Sequence, residues 1–240
     1  MMQDVSKWGD LKELEKKLYF IRNLEGELKN HCAEMYNRPG HQHRCDLINS
    51  LLKTFVTQRD FLDVGCAEGI YCKTAKQFGA HRVVGTDLAS SKIKHANSMY
   101  PDCEFYCKSI FELDEFKNQF DIVICLEVLQ HVIEYKLAAC SVLDCLKTGG
   151  IAIFTVPNLS TTTDHVLANI SSDMSVDQLV EEISIAGAGN QNALWKYNSD
   201  KLYDEILMEY PRAKLVKKIP VDTPDGQRIN LWTIGIMKVI

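Results

Sequence analysis

The stretch Phe61-Leu62-Asp63-Val64-Gly65-Cys66-Ala67-Glu68-Gly69 constrains the fold more than any other part of the chain, because it reads as a buried strand passing through a tight glycine turn into a helix. Apolar and β-branched residues surround a single acid, Asp63, and glycines stand at Gly65 and Gly69, where a backbone must bend or come close to a ligand. A helical pattern begins at once, at Ile70. Strand, glycine turn and helix in that order hold a nucleotide-type ligand at the carboxyl end of a parallel strand.

Strand and helix patterns alternate beyond it. The spacing predicts strands at Phe61–Val64, Arg82–Thr86, Glu104–Cys107, Asp121–Leu126 and Ile151–Val156, with helices near Ile70–Phe78, Ser91–Met99 and Tyr135–Leu146 and a turn at Glu112–Phe116. Such alternation implies an α/β fold, a parallel sheet with right-handed crossovers and helices on both faces. Upstream, apolar residues recur in helical steps at Leu11, Leu14, Leu18, Ile21, Leu28, Cys32 and Met35, interrupted by Glu25 and Gly26, so two short helices or one kinked helix are expected. Asn37-Arg38-Pro39-Gly40 breaks this pattern before a helix that resumes over Asp46–Phe55. After Pro157, a polar run from Asn158 to Asp164 and a loop from Gly187 to Asn192 flank an amphipathic segment, Val176–Ile183. Excursions of this length in an economical α/β domain are lids or binding loops. A helix at Ser199–Met208, capped by Asn198 or Ser199, then precedes strands Lys214–Val221 and Leu231–Val239 around the turn Thr223-Pro224-Asp225-Gly226, so a β-hairpin is expected to finish the chain.

No linker divides the 240 residues, which suits one large domain with an appendage. Residues 1–58 are expected to form an N-terminal helical segment, a cap or a homodimer contact, and 59–240 the main domain with a lid insertion at 158–194. The net charge of −5 argues against a general affinity for nucleic acid backbones, which needs a concentrated positive face. The first eight residues carry no signal-peptide core, and no apolar run approaches the roughly 18 residues of a membrane span, so a cytoplasmic location without membrane contact is expected. Nine cysteines, at 32, 45, 66, 72, 103, 107, 125, 140 and 145, read as reduced core residues. Neither the Cys103 and Cys107 pair nor His41-Gln42-His43-Arg44-Cys45 is matched by a second cluster at zinc-site spacing, and no metal is expected.

The glycine spacing separates two kinds of ligand. A dinucleotide turn would carry a third glycine five positions after Gly65, beneath a pyrophosphate, and Ile70 stands there. Asp87, at the end of Val83-Val84-Gly85-Thr86-Asp87, lies eighteen residues past Gly69, where an acid can accept both hydroxyls of a ribose. The pattern therefore points to a nucleoside, with nothing that calls for phosphates. Taken singly, Asp63 could instead be a buried acid bonded to backbone amides, and Asp87 a helix cap.

Three blocks stand in order: Leu62-Asp63-Val64-Gly65-Cys66-Ala67-Glu68-Gly69, then Phe120-Asp121-Ile122-Val123-Ile124-Cys125-Leu126-Glu127-Val128-Leu129-Gln130-His131-Val132, then Leu143-Asp144-Cys145-Leu146-Lys147-Thr148-Gly149-Gly150-Ile151-Ala152-Ile153-Phe154-Thr155-Val156-Pro157-Asn158. Through them the sequence, over roughly Arg44 to Val239, resembles the class I S-adenosylmethionine-dependent methyltransferases, and among these the small-molecule methyltransferases most. The resemblance implies a Rossmann-like seven-stranded, mostly parallel sheet with an antiparallel last strand, which agrees with the terminal hairpin. It implies S-adenosylmethionine as cofactor, with Asp63 anchoring the ammonium directly or through water. Gly65, Cys66, Ala67 and Gly69 would bring the backbone to the carboxylate end, Asp87 would take the ribose, and Leu88 would pack on adenine. Ser109 stands where relatives often carry an acid for the adenine amino group, with the Ile110 backbone beside it, and Leu126 closes the set at the end of the fourth strand. Arg44 lies near where some small-molecule members carry an arginine for the methionine carboxylate; otherwise it is a surface helix residue. Ala67 replaces the usual glycine.

Methyl transfer is an in-line displacement that alignment and exclusion of water can drive, so the family has no universal catalytic residue. His131, following the fourth strand at the mouth of the site, is the candidate base, with a structural hydrogen bond as the alternative. Glu127, four residues earlier, would share its face on a helix. Certain RNA-end methyltransferases hold a metal with such a pair, but Gln130 stands where their second acid would be. His165, Trp195 and Tyr197 fall in or beside the lid, as sheet-edge cover or as aromatic contacts to a flat or cationic acceptor. The expected function is methyl transfer to a small-molecule acceptor. The alternatives are methylation of RNA or a protein side chain, and a non-catalytic nucleoside-binding partner subunit.

Overall fold

Parallel strands covered on both faces need apolar residues at nearly every position, and Phe61–Val64 is buried throughout with one acid inside it. The computed structural model of the protein describes residues 9–21, 39–158, 164–165, 174–185, 195–196, 198–222 and 232–240. In chain order these form α1 (Leu11–Ile21), α2 (Pro39–Phe55), β1 (Phe61–Val64), α3 (Ile70–Gln77), β2 (Val83–Asp87), α4 (Ser90–Met99), β3 (Glu104–Cys107), β4 (Phe120–Leu126), α5 (Tyr135–Asp144) and β5 (Leu146–Pro157). Then follow β6 (Asp164–His165), α6 (Val176–Ile185), β7 (Trp195–Lys196), α7 (Ser199–Glu209), β8 (Ala213–Val221) and β9 (Trp232–Val239).

The main sheet has seven strands in the order β3-β2-β1-β4-β5-β9-β8. β1 to β5 run parallel, and β9 is antiparallel to both β5 and β8. The last strand alone is therefore reversed, as expected. Alternate side chains split the core in two: Leu62, Val64, Val123, Cys125 and Phe154 pack beneath α5 and α7, and Phe61, Ile122, Ile124 and Ile153 beneath α2, α3 and α4. Phe120 and Ile122, two positions apart, fall in opposite halves because the pairing of β4 with β5 slips between them. The connections leaving β1 and β4 go to opposite sides, so the crevice at their carboxyl ends is the switch point where such sheets bind ligands.

Among the boundaries that differ from expectation, two have a clear physical cause. The helix placed at Asp46–Phe55 begins at Pro39, because a proline fits the first helical turn, where its missing N–H costs nothing. The helix expected to reach Leu146 ends at Asp144, and Leu146 opens β5 by pairing with Phe120. At α7, Asn198 is the cap: its Oδ1 accepts the Lys201 N–H at 3.4 Å. The interruption at Glu25 and Gly26, the loop from Gly187 to Asn192 and the turn from Thr223 to Gly226 lie outside the described residues. Of the eight described cysteines, all free, Cys107 is exposed and Cys140 half-buried rather than core.

Asp10 caps α1 through its Oδ1, which accepts the Lys12 N–H at 2.9 Å. Leu14 and Leu18 bury the apolar stripe of α1, and the helix packs against α6 within the same chain. Among the described residues no helix is long and apolar enough to cross a membrane, and no three His, Cys, Asp or Glu side chains are grouped to hold a metal ion.

Candidate functional site

The turn after β1 is built over the end of β2. Gly65 and Cys66 both donate their N–H to the Thr86 carbonyl, at 2.7 and 2.9 Å. Gly65 sits at φ +82, and a Cβ there would lie 2.3 Å from Val128 Cγ2, so only glycine lets the turn after β1 close against the segment leaving β4. Ala67 adopts φ +47, keeping glycine's left-handed backbone at a cost of about 1 kcal/mol. Its N–H is given to Asp87 Oδ2 at 2.8 Å, while Ala89 N–H goes to Oδ1 at 2.8 Å. Asp87 thus fastens the glycine turn to the start of α4, and each of its oxygens retains a further lone pair. Burial raises the Asp87 carboxyl, with the two amides pulling the other way.

Asp63, 2% exposed, lies beneath the turn. Its one hydrogen bond among the described residues is a long one, from Cys72 Sγ at 4.0 Å to Oδ2. Burial, and then repulsion from Asp87, holds its carboxyl well above the usual range. Neighbouring Cys66 is pulled down by its hydrogen bond with Cys72, but burial and the two carboxylates outweigh this and push the thiol up to about 11.

The adenine-side residues are less open than the resemblance implied. Leu88 is half-buried and its carbonyl accepts from Cys107 Sγ at 3.5 Å. Ser109 is wholly buried: its N–H donates to Glu112 Oε2 at 2.9 Å, and its Oγ accepts the Phe111 N–H at 3.2 Å. The Ile110 side chain belongs to the core. Lys16 of α1 reaches Glu112 Oε1 at 3.4 Å, and the Ser109 amide, then Lys16, hold the Glu112 carboxyl low.

β4 ends at half-buried Leu126, and Glu127 turns the chain with φ +60, a left-handed backbone on a non-glycine residue. The Glu127 N–H is shared between Thr155 O at 3.0 Å and Thr155 Oγ1 at 3.1 Å. Arg44 is not a surface residue. At 3% exposure it projects from the core face of α2, and its Nη1 lies 3.0 Å from Glu127 Oε2. Burial opposes the Arg44 charge, and Glu127 and its neighbours more than restore it. Gln130 Nε2 donates to the same Glu127 oxygen at 3.5 Å. His131 closes the short 3-10 turn Leu129–His131, is half-buried, and donates its N–H to the Val128 carbonyl at 2.8 Å. Two residues on, the Ile133 N–H donates to Glu15 Oε1 of α1 at 2.9 Å.

The excursion after β5 folds back on itself: β6 and β7 pair antiparallel, His165 opposite Trp195, and β7 runs beside the 129–131 turn. Tyr197 lies outside the described residues. The crevice therefore gathers Asp63, Gly65, Cys66, Ala67, Gly69, Asp87, Leu88 and Ser109 at the ends of β1, β2 and β3, and Arg44, Leu126 and His131 around the end of β4. Sequence reasoning missed the pairing of Glu127 with Arg44, and it missed Glu15. Both left a signal: Arg44 is one turn before Ile48 on the apolar side of α2, and Glu15 sits within the stripe of Leu11, Leu14 and Leu18.

The family described as "Methyltransferase domain" matches residues 36–234. A curated relative, the ubiquinone biosynthesis O-methyltransferase of Bradyrhizobium sp. (strain ORS 278), is 34% identical over 103 residues, 40% of this chain and 39% of its own. The chain thus spans about two fifths of that relative's length. The N-methyltransferase NodS of Bradyrhizobium japonicum, solved with S-adenosyl-L-homocysteine, superposes with a TM-score of 0.60 at 14% identity, over 95% of this chain and 96% of that one. The Burkholderia thailandensis 1,6-didemethyltoxoflavin-N1-methyltransferase, solved with its acceptor and S-adenosylhomocysteine, superposes with a TM-score of 0.63 at 13% identity, over 95% and 88%. At these identities the two solved structures share the fold. With the match over residues 36–234 laid on this sheet order and this glycine turn, the chain belongs to the methyltransferase-domain family.

Proposed function

We propose that the protein moves a methyl group from S-adenosylmethionine to a small-molecule acceptor, releasing S-adenosylhomocysteine. The residues of the crevice fit that cofactor. Gly65 lets the turn after β1 close on the segment leaving β4, Asp87 keeps acceptor lone pairs at the end of β2 for a ribose, and buried Arg44 offers a cation for a carboxylate. Leu88 would flank the adenine with Ser109 and Ile110 at its edge, and Leu126 closes the set at the end of β4. Gly69 and the Cys66 and Ala67 backbone complete the turn, with Asp63 as the acid beneath it.

When bound, the cofactor supplies an electrophilic methyl whose displacement discharges a sulfonium. The chain's own contribution is to align the acceptor and keep water out. In this reading His131, after β4, takes a proton from an acceptor that still carries one.

One observation supports a small acceptor over a polymer: α1 rests on α6 and is tied by Glu15 to Ile133, so helices of the same chain stand over the acceptor side. In this reading α1 is a cap. The relative named for ubiquinone biosynthesis, covered over two fifths of its length, accords with it. The test is incubation with methyl-labelled S-adenosylmethionine and a cell extract divided into metabolite, RNA and protein fractions. Label is expected among the metabolites. Label confined to RNA or protein would overturn the small-molecule reading, and cofactor binding without label in any fraction would favour a non-catalytic subunit.

A further inference from the structure

Glu15 is 5% exposed on α1, in the row where Leu14 and Leu18 bury the helix. A carboxylate is costly to seal in such a stripe, and a helix that only had to dock would carry an apolar side chain there. Glu15 Oε1 instead accepts the Ile133 N–H at 2.9 Å, between residues 118 apart in the chain. Ile133 is buried too, at 3% exposure, so its amide depends on that acceptor. The segment that Glu15 reaches joins β4 to α5 and carries His131. Two pins hold it. At its start the Glu127 N–H is forked onto the carbonyl and hydroxyl of Thr155, with the backbone at φ +60; at its end Glu15 holds Ile133. Between the pins lies the 3-10 turn Leu129–His131, closed by His131 N–H to the Val128 carbonyl at 2.8 Å and Val132 N–H to the Leu129 carbonyl at 3.2 Å. So short a 3-10 turn has poor hydrogen-bond geometry and takes its course from its anchors. The seat of α1 does not depend on Glu15 alone, since Leu14 and Leu18 pack it and Lys16 Nζ lies 3.4 Å from Glu112 Oε1.

We propose that Glu15 is a positioning residue for methyl transfer: from α1 it holds the Ile133 amide, and through that amide the turn that sets where His131 stands. This rests on the reading of His131 as the group that takes the acceptor's proton, and extends it to the cap. Proton transfer needs its heavy atoms within hydrogen-bond reach, and a misplacement of about 1 Å costs about a hundredfold in rate. A charged acceptor gives a shorter and stronger bond to an amide than a neutral one, which suits a pin between distant segments. The base and the cap helix are thereby one assembly, and the turn takes its working course only with α1 seated.

The experiment measures the initial rate of label transfer from methyl-labelled S-adenosylmethionine, in the extract fraction that the wild-type protein labels, for Glu15→Leu, Glu15→Gln, His131→Asn and the double variant of Glu15→Leu with His131→Asn. Circular dichroism establishes that each is folded. Glu15→Leu, which suits the apolar row of α1, is expected to lower the rate at saturating S-adenosylmethionine at least about tenfold and to keep KM for it within about twofold. Glu15→Gln, whose amide oxygen still accepts, is expected to recover the rate to within about threefold of wild type. The double variant is expected to be no slower than His131→Asn, because Glu15 acts through His131. Losses that multiply in the double variant, a glutamine variant as slow as the leucine one, or a leucine variant at the wild-type rate would overturn the role of Glu15 and leave His131 as the base. Wild-type rate in His131→Asn would overturn the base and its positioning together while methyl transfer stands. No label in any fraction from the wild-type protein would overturn the methyl-transfer reading along with both.

Discussion

Gly65→Ala tests the closure of the crevice in a way that can be worked through. The backbone at φ +82 lies in the left-handed region, where a Cβ costs about 1–2 kcal/mol. The added carbon would stand 2.3 Å from Val128 Cγ2, an overlap that no rotation of the methyl relieves, so Val128 must move at an overpacking cost of about 1–3 kcal/mol. The sum, about 2–5 kcal/mol, corresponds to a fall in Tm of roughly 5–20 °C for a chain of this size. Val128→Ala, at a half-buried position, is expected to cost about 1 kcal/mol by itself. In the double variant the overlap is gone and only the backbone strain remains, so it should be more stable than the sum of the singles by about 1–3 kcal/mol. Urea denaturation of the four proteins measures this coupling. Additivity to within about 0.5 kcal/mol would refute the claim that Gly65 is required by contact with Val128.

Two other substitutions probe the same turn. Ala67→Gly relaxes φ +47 but frees the unfolded chain, so thermal unfolding should show a net gain between zero and about 1 kcal/mol, and a clear loss would show that the left-handed backbone carries no strain. Asp63→Asn is expected to stabilise the protein at neutral pH while weakening S-adenosylhomocysteine. The folded carboxyl is raised by burial, so the native state holds a proton that the unfolded chain has lost; stability from this source is complete below the unfolded pKa of about 3.9 and is lost as pH rises through the folded value. The advantage of the asparagine should therefore shrink as pH falls towards about 4, and an advantage independent of pH would contradict the assignment.

How much of this was legible in the sequence depends on the range of the contacts. β1 and β4 could be read because strands covered on both faces are continuous apolar runs, and Gly65, Gly69 and Asp87 because a left-handed turn and a strand-end acid have local signatures. The boundary at Leu146 could not be read, since a leucine suits the end of a helix as well as the start of a strand and only its pairing with Phe120 decides. Arg44 with Glu127 and Glu15 with Ile133 join segments far apart in the chain, and no local period encodes such meetings. The adenine side was the least readable part. Ser109 reads as a ligand contact by position, while its hydroxyl oxygen accepts the Phe111 N–H and its own backbone N–H goes to Glu112 within the same loop.

The most direct measurement is a calorimetric titration of S-adenosylhomocysteine into the wild-type protein and into Asp87→Ala, with circular dichroism to establish that both are folded. One site per chain is expected in the wild type, and a loss of affinity of at least about tenfold when the carboxylate at the end of β2 is removed. A folded wild-type protein that does not bind, or an alanine variant that binds equally well, would contradict the account.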